Sequence, residues 1–225
     1  MHIESVFILS SLFCQTGRVT ERPGLRERKR RQTRRRIAEV AMRLFVERGF
    51  DHVTVSEVAD AADVARVTLF KHFPTKESLV LDAVADDDPA RIVASRPPGT
   101  PALAAVRAHY RAFAAAPGVE DGAALIAALR VITGSPALTA GVRRLFDAQR
   151  EALARTLAAE DGGSDPLAAE VAAAQITGAI QALKTEFFRR LVAGEPAAGA
   201  VARLADDVDR AFDLVEHGIG DRYGR

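Results

Sequence analysis

Thr54-Val55-Ser56-Glu57-Val58-Ala59-Asp60-Ala61-Ala62-Asp63-Val64-Ala65-Arg66-Val67-Thr68-Leu69-Phe70-Lys71-His72-Phe73-Pro74 holds two short helical patterns separated by one break. Thr54 and Glu57 have the spacing of a capping box, in which hydroxyl and carboxylate reciprocally satisfy the first free backbone donors of a helix. Val55, Val58, Ala59 and Ala62 follow on one face, too short a stripe to hold a helix unless it packs on neighbours. Asp63 makes the break. A further helix over 65–72 turns Leu69 and Phe73 inward, leaves Arg66, Thr68 and Lys71 outward, and ends at Pro74. Two short helices joined by a tight turn, with polar and basic residues outward on the second, suit the DNA major groove. An ordinary helical hairpin has the same spacing, so the flanks must decide between them.

Upstream, Ile37, Val40, Ala41, Leu44 and Phe45 recur at helical spacing from Thr33 onward, and Gly49 is placed to cap that helix. Arg34, Arg35, Arg36, Arg43 and Arg48 lie largely off the stripe. Residues 22–36 carry nine basic side chains and one acid, Glu27, a density suited to phosphates. Taken alone, that run is equally well a solvated, disordered tail. The net charge of +1 hides an asymmetry. Residues 19–80 hold 14 Lys and Arg against 9 Asp and Glu, a net of +5, whereas residues 81–225 hold 16 against 20, a net of −4. Downstream, Lys76 is expected in the first turn of the next helix, where the macrodipole disfavours a cation unless an anion lies nearby; the alternative is a solvated side chain.

From Ile37 to Leu79 these residues resemble the TetR family of bacterial one-component regulators. The likeness rests on Ile37-Ala38-Glu39-Val40-Ala41-Met42-Arg43-Leu44-Phe45, Gly49-Phe50, Thr54-Val55, Val58-Ala59, the run from Ala62 to Phe73, and Lys76-Glu77-Ser78-Leu79. It implies a homodimer on an operator of approximate two-fold symmetry, often repressing, and released when a small ligand enters the larger domain. It further implies that Thr54 contacts phosphate, that Arg66, Val67, Thr68 and Lys71 face bases or backbone, and that His72 and Lys76 grip phosphates. Arg34 and Phe70 complete the expected DNA-contacting set. The chain also departs from the family's habits. Phe70 and His72 stand where tyrosines are common, Asp63 and Val67 where glycines are common, and Ala65 replaces the usual Ser cap, at a cost of roughly 1 kcal/mol of local helix stability. A branched Val67 crowds the groove but can meet a thymine methyl.

The expected fold class is therefore all-α, a three-helix DNA-binding domain over 26–80 followed by a larger helical ligand-binding and dimerisation domain over 81–225. Helix starts in the second part are marked by a capping residue before proline, at Asp88-Pro89, Thr100-Pro101, Ser135-Pro136 and Asp165-Pro166. Helices are expected near 75–94, 101–116, 122–132, 136–160, 166–193 and 197–217, the last two as candidates for an intermolecular four-helix bundle. His109, Tyr110, Phe113, Arg130, Phe146, Gln149, Gln175, Gln181 and Lys184 are candidates for a ligand cavity. Core packing for the aromatics and a solvated face for the polar residues are the alternatives. Residues 1–25 form an extension without helix punctuation, expected to be disordered; translation starting at Val19, or a short helix docked on the body, are the readings of it.

The composition calls for no metal or cofactor. Cys14 stands alone, the five histidines are scattered, and Asp86-Asp87-Asp88 reads as a solvated helix end because three consecutive acids on one turn cannot face one ion. The apolar stretch near the start is far shorter than the roughly 20 residues a membrane helix needs, so a cytoplasmic protein is expected. An α-helical enzyme with a basic docking arm lacks a convergent acid, base or nucleophile here. A sequence-independent architectural DNA binder would need no large, weakly acidic second part.

Overall fold

A computed structural model describes residues 24–85, 87–115, 122–160 and 162–218, and all their regular structure is helical. The chain divides into two compact units, residues 1–87 with 121–143, and residues 88–120 with 144–225. The extension over 1–25 lies outside the described residues except for its last two.

The first unit is built on α1 (Leu25–Arg48). Its apolar stripe is buried as the sequence requires, with Ile37, Ala41 and Phe45 sealed and Val40 and Leu44 packed at the margin. Gly49 ends the helix at φ +83°, a left-handed conformation that glycine adopts without steric cost, and its N–H donates to the Phe45 carbonyl at 2.9 Å. The Phe50 ring then turns back against Phe45, with centroids 5.0 Å apart. Helix α1 starts at Leu25, before the apolar period that sets in from Thr33, so most of the basic run is helical rather than a disordered tail. Arginine and lysine are good helix formers, and Glu27–Arg31 and Arg35–Glu39 are ion pairs across one turn.

Helix α2 (Val55–Ala61) begins with the expected capping box. The Glu57 N–H donates to Thr54 Oγ1 at 3.2 Å, and the Thr54 N–H donates to Glu57 Oε2 at 2.8 Å. Arg48 pairs with the same carboxylate at 2.6 Å. The Thr54 backbone and hydroxyl donors, with Arg48, hold the Glu57 carboxyl at about 2, well below its ordinary 4.5. Its stabilising contribution is complete above pH 4.5 and is lost as pH falls through about 2. Glu57→Gln is expected to flatten stability over that window in urea titrations. Thr54→Ala should cost about 1 kcal/mol at neutral pH.

Helices α3 (Arg66–His72) and α4 (Ser78–Ala85) complete the local bundle, burying Leu69 and Phe73, then Leu79 and Val80. The single helix expected over 75–94 is two, because Asp88 caps α5 (Pro89–Ala94) by accepting from the Ala90 N–H at 3.0 Å. Pro89, at the first turn, cannot continue a preceding helix. The boundary expected after residue 80 falls inside α4. The first unit also takes in α7 (Gly122–Thr133) and residues 136–143 of α8 (Pro136–Glu160), since Ala128, Val131 and Leu138 join the core around Phe45. Ser135 is buried between these two helices. Its hydroxyl donates to Asp51 at 2.9 Å, so the expected cap is spent on the α1–α2 corner.

In the second unit, α10 (Ala197–His217) packs against both α6 (Ala102–Ala115) and α9 (Pro166–Val192). The stripe Ile176, Ile180, Leu183, Phe187 and Leu191 is buried on α9, while Ala200, Leu204, Val208 and Phe212 are buried on α10. Tyr110 stacks on Phe212 with centroids 6.3 Å apart. Arg107 reaches Asp209 and Asp213, and Arg190 reaches Asp207. No single helix among the described residues is long and apolar enough to cross a membrane.

Candidate nucleic-acid interface

The break between α2 and α3 is a constrained turn. Asp63 adopts φ +50°, uncommon for a residue with a Cβ. From α1, Arg36 donates to the Asp63 carbonyl at 3.0 Å, and the Val64 N–H donates to the Ala59 carbonyl at 3.0 Å. Ala65 then starts α3 with no side-chain cap, leaving only backbone turns from Thr68 and Leu69 to its carbonyl. Leu69 is the buried anchor. Arg66, Val67, Phe70 and Lys71 are exposed, and Thr68 and His72 are partly so. Thr54 is exposed at the start of α2.

Three of the expected contact residues have work inside the protein. Arg34 donates to the His72 carbonyl at 2.7 Å and to Asp82 at 2.5 Å, with its guanidinium 4.5 Å from the Phe73 ring centroid. It is therefore a clamp joining α1 to the end of α3 and to α4. Long-range pairing of this kind leaves no signal in local sequence. His72 is partly buried, and its pKa is lowered by desolvation and then by the nearby charges of Arg30 and Arg34, so the free protein carries a neutral imidazole. Lys76 sits in the turn entering α4, directly after Thr75, whose hydroxyl accepts from the Ser78 N–H at 3.1 Å while the Thr75 N–H donates to Ser78 Oγ at 3.3 Å, so a cation does stand at that helix entrance. Its ammonium sits 4.3 Å from the centroid of Phe50, whose ring face partly offsets the charge.

Cations with no such role stand further up α1. Arg26, Arg28, Lys29 and Arg30 are exposed and form no ion pair among the described residues. Arg30 and Arg26 are in register with Arg34, one and two turns before it, and Lys29 lies beside them. That column runs toward the C-terminal end of α3.

The nine candidate ligand residues do not form one set. Arg130 is exposed and belongs to the first unit, and Gln175 and Gln181 are exposed on α9. Tyr110 and Phe113 are buried in the second unit's core, as is Gln149. His109 meets Tyr110 edge-on at 5.4 Å, and the Lys184 ammonium lies 5.6 Å from the Phe146 ring centroid. Of the acidic run, Asp86 is outside the described residues and Asp88 is the cap of α5. Asp213, Glu216 and His217 approach one another at the exposed end of α10, but both carboxylates already face Arg107.

The profile described as "Bacterial regulatory proteins, tetR family" matches residues 37–83. The HTH-type transcriptional regulator TcmR of Streptomyces glaucescens is 36% identical over 148 residues, which cover 62% of this chain and 65% of that protein. The chain thus spans just under two thirds of that relative's length. The HTH-type transcriptional repressor KstR2 of Rhodococcus jostii is 43% identical over 47 residues, 21% of this chain and 23% of that one. Among solved structures, native NalD, the secondary repressor of the MexAB-OprM multidrug efflux pump in Pseudomonas aeruginosa, shares the fold. It has a TM-score of 0.50 at 16% identity, over 81% of this chain and 97% of NalD.

Proposed function

We infer, from the premise that this chain belongs to the TetR family of bacterial regulatory proteins, that it is a transcription regulator that represses from a palindromic operator and is released by a small ligand. The observation that carries this reading is the outer face of α3. A short helix anchored by Leu69 and held by the Arg36 and Arg34 clamps presents Arg66, Val67, Phe70 and Lys71 to the outside, below a column of α1 cations. Such an arrangement suits the major groove, with α1 and the α4 approach supplying phosphate contacts.

A two-fold operator requires two copies. The buried stripe of α9 is used within the chain, but Leu167, Val171, Ala174, Gly178 and Ala182 succeed one another at three- and four-residue steps and are all exposed. This exposed, apolar row supports a dimer through α9, with α10 beside it. Of the effector candidates, His109, Tyr110, Phe113, Phe146, Gln149 and Lys184 remain the best placed, being partly or wholly buried in the second unit. Selection of bound duplexes from a random pool, followed by release with a metabolite panel, tests the reading. Enrichment of an inverted repeat whose binding a metabolite abolishes supports it. Equal affinity for all duplexes would instead favour an architectural role.

His72 gives this reading a pH signature. A phosphate beside the imidazole opposes the desolvation and the Arg30 and Arg34 charges that depress its pKa, so DNA binding takes up a proton. Operator affinity is expected to rise as pH falls from about 7.5 toward 6, and His72→Gln should remove most of that slope in fluorescence titrations.

A further inference from the structure

Among the described residues, six large hydrophobic side chains are exposed, and two of them, Val67 at 66% and Phe70 at 41%, stand on the seven residues of α3. Neither is needed by the core. The inner face of the helix is already filled by Leu69, sealed at 0% exposure, and by Phe73 just beyond its end. Their spacing of three residues puts both on one face, with Arg66 before Val67 and Lys71 after Phe70. An apolar pair held open to water between two cations fits a surface that is anionic at its margins and apolar at its centre.

The major groove offers one such surface. Phosphates line its edges, and of the four bases only thymine projects an apolar group, the C5 methyl, into it. Val67 is the second residue of α3, at the helix end that approaches base edges. Phe70 has no hydroxyl to donate to a phosphate, so its ring gains nothing from the backbone and something from a methyl. We propose that Val67 and Phe70 together read thymine methyl groups, and that each operator half-site carries thymines at the positions facing them. This rests on the operator reading above and adds the chemistry by which the operator is chosen.

The test uses the full-length protein and operators recovered from a random duplex pool, synthesised either with thymine or with deoxyuridine throughout the half-sites. Base pairing is retained and only the methyl groups are removed. The wild-type protein is expected to bind the deoxyuridine duplex about fourfold more weakly for each methyl contacted, the equivalent of ~0.8 kcal/mol per buried methylene-sized group. The Val67→Ser/Phe70→Ser variant, which alters exposed side chains only, is expected to bind both duplexes with equal affinity. Equal wild-type affinity for the two duplexes overturns the proposal while leaving operator binding intact. So does a double variant that still discriminates, since the methyls are then read elsewhere. A pool from which no sequence is enriched overturns the operator reading itself, and the methyl reader with it.

Discussion

Replacing Arg26, Lys29 and Arg30 together by glutamine is expected to weaken operator binding on the order of a hundredfold per bound subunit at ~0.15 M salt. Each phosphate neutralised on duplex DNA releases condensed counterions and adds about 0.9 to the negative slope of log affinity against log salt. Three lost contacts should therefore lower that slope by roughly 2.5 to 3 per subunit. The three side chains are exposed and make no ion pair among the described residues, so folding should be untouched, with an unchanged thermal midpoint. Arg31 and Arg35 are the internal controls, because each already pairs with a glutamate one turn away. A triple variant with the wild-type salt slope would remove α1 from the DNA contact. Arg34→Gln should behave differently, since it loosens the clamp on His72 and Asp82 and acts through the placement of α3.

Local chemistry was legible in the sequence wherever one turn of chain sufficed. The Thr54–Glu57 box, the Gly49 stop, the buried stripes of α1 and α9 and the helix starts at Pro136 and Pro166 all follow from residue type and spacing. The start of α1 left no apolar signal, because residues 25–32 are nearly all charged and present no apolar period, although Arg and Lys favour helix. The break between α4 and α5 was readable from Asp88-Pro89, the same cap-and-proline signal as elsewhere. What remained hidden is all long-range. Arg34 reaches residues 38 and 48 positions away, and Ser135 reaches Asp51 across 84. No period or propensity encodes which partner a guanidinium or a hydroxyl meets after folding. The candidate ligand residues differ in burial for a related reason. Composition identifies polar groups on helices, but only packing decides that Gln175 and Gln181 look outward while Gln149 is buried.

Leu138→Ala is expected to destabilise the first unit by about 3 kcal/mol, the usual scale for deleting a sealed core leucine. Leu138 is 0% exposed and shares a core with Ile37, Phe45, Val58 and Leu69, although it follows them in sequence by dozens of residues. If residues 26–80 were self-sufficient, a leucine at 138 would be irrelevant to α1–α3. The packing argues otherwise, because removing Ala128, Val131 and Leu138 would open one side of the core to water. Hydrogen exchange locates the effect. Amides of α1 to α3 should lose protection in Leu138→Ala by the same free energy as the global loss, while a purely local role would confine the change to α7 and α8. Ser135→Ala should show a smaller version, about 1 kcal/mol, since it removes one partly buried hydrogen bond to Asp51. Faster exchange across α1 in both variants would join α7 and the start of α8 to α1–α3 energetically, so that the helices presenting α3 are held in place by residues encoded beyond the helix-turn-helix.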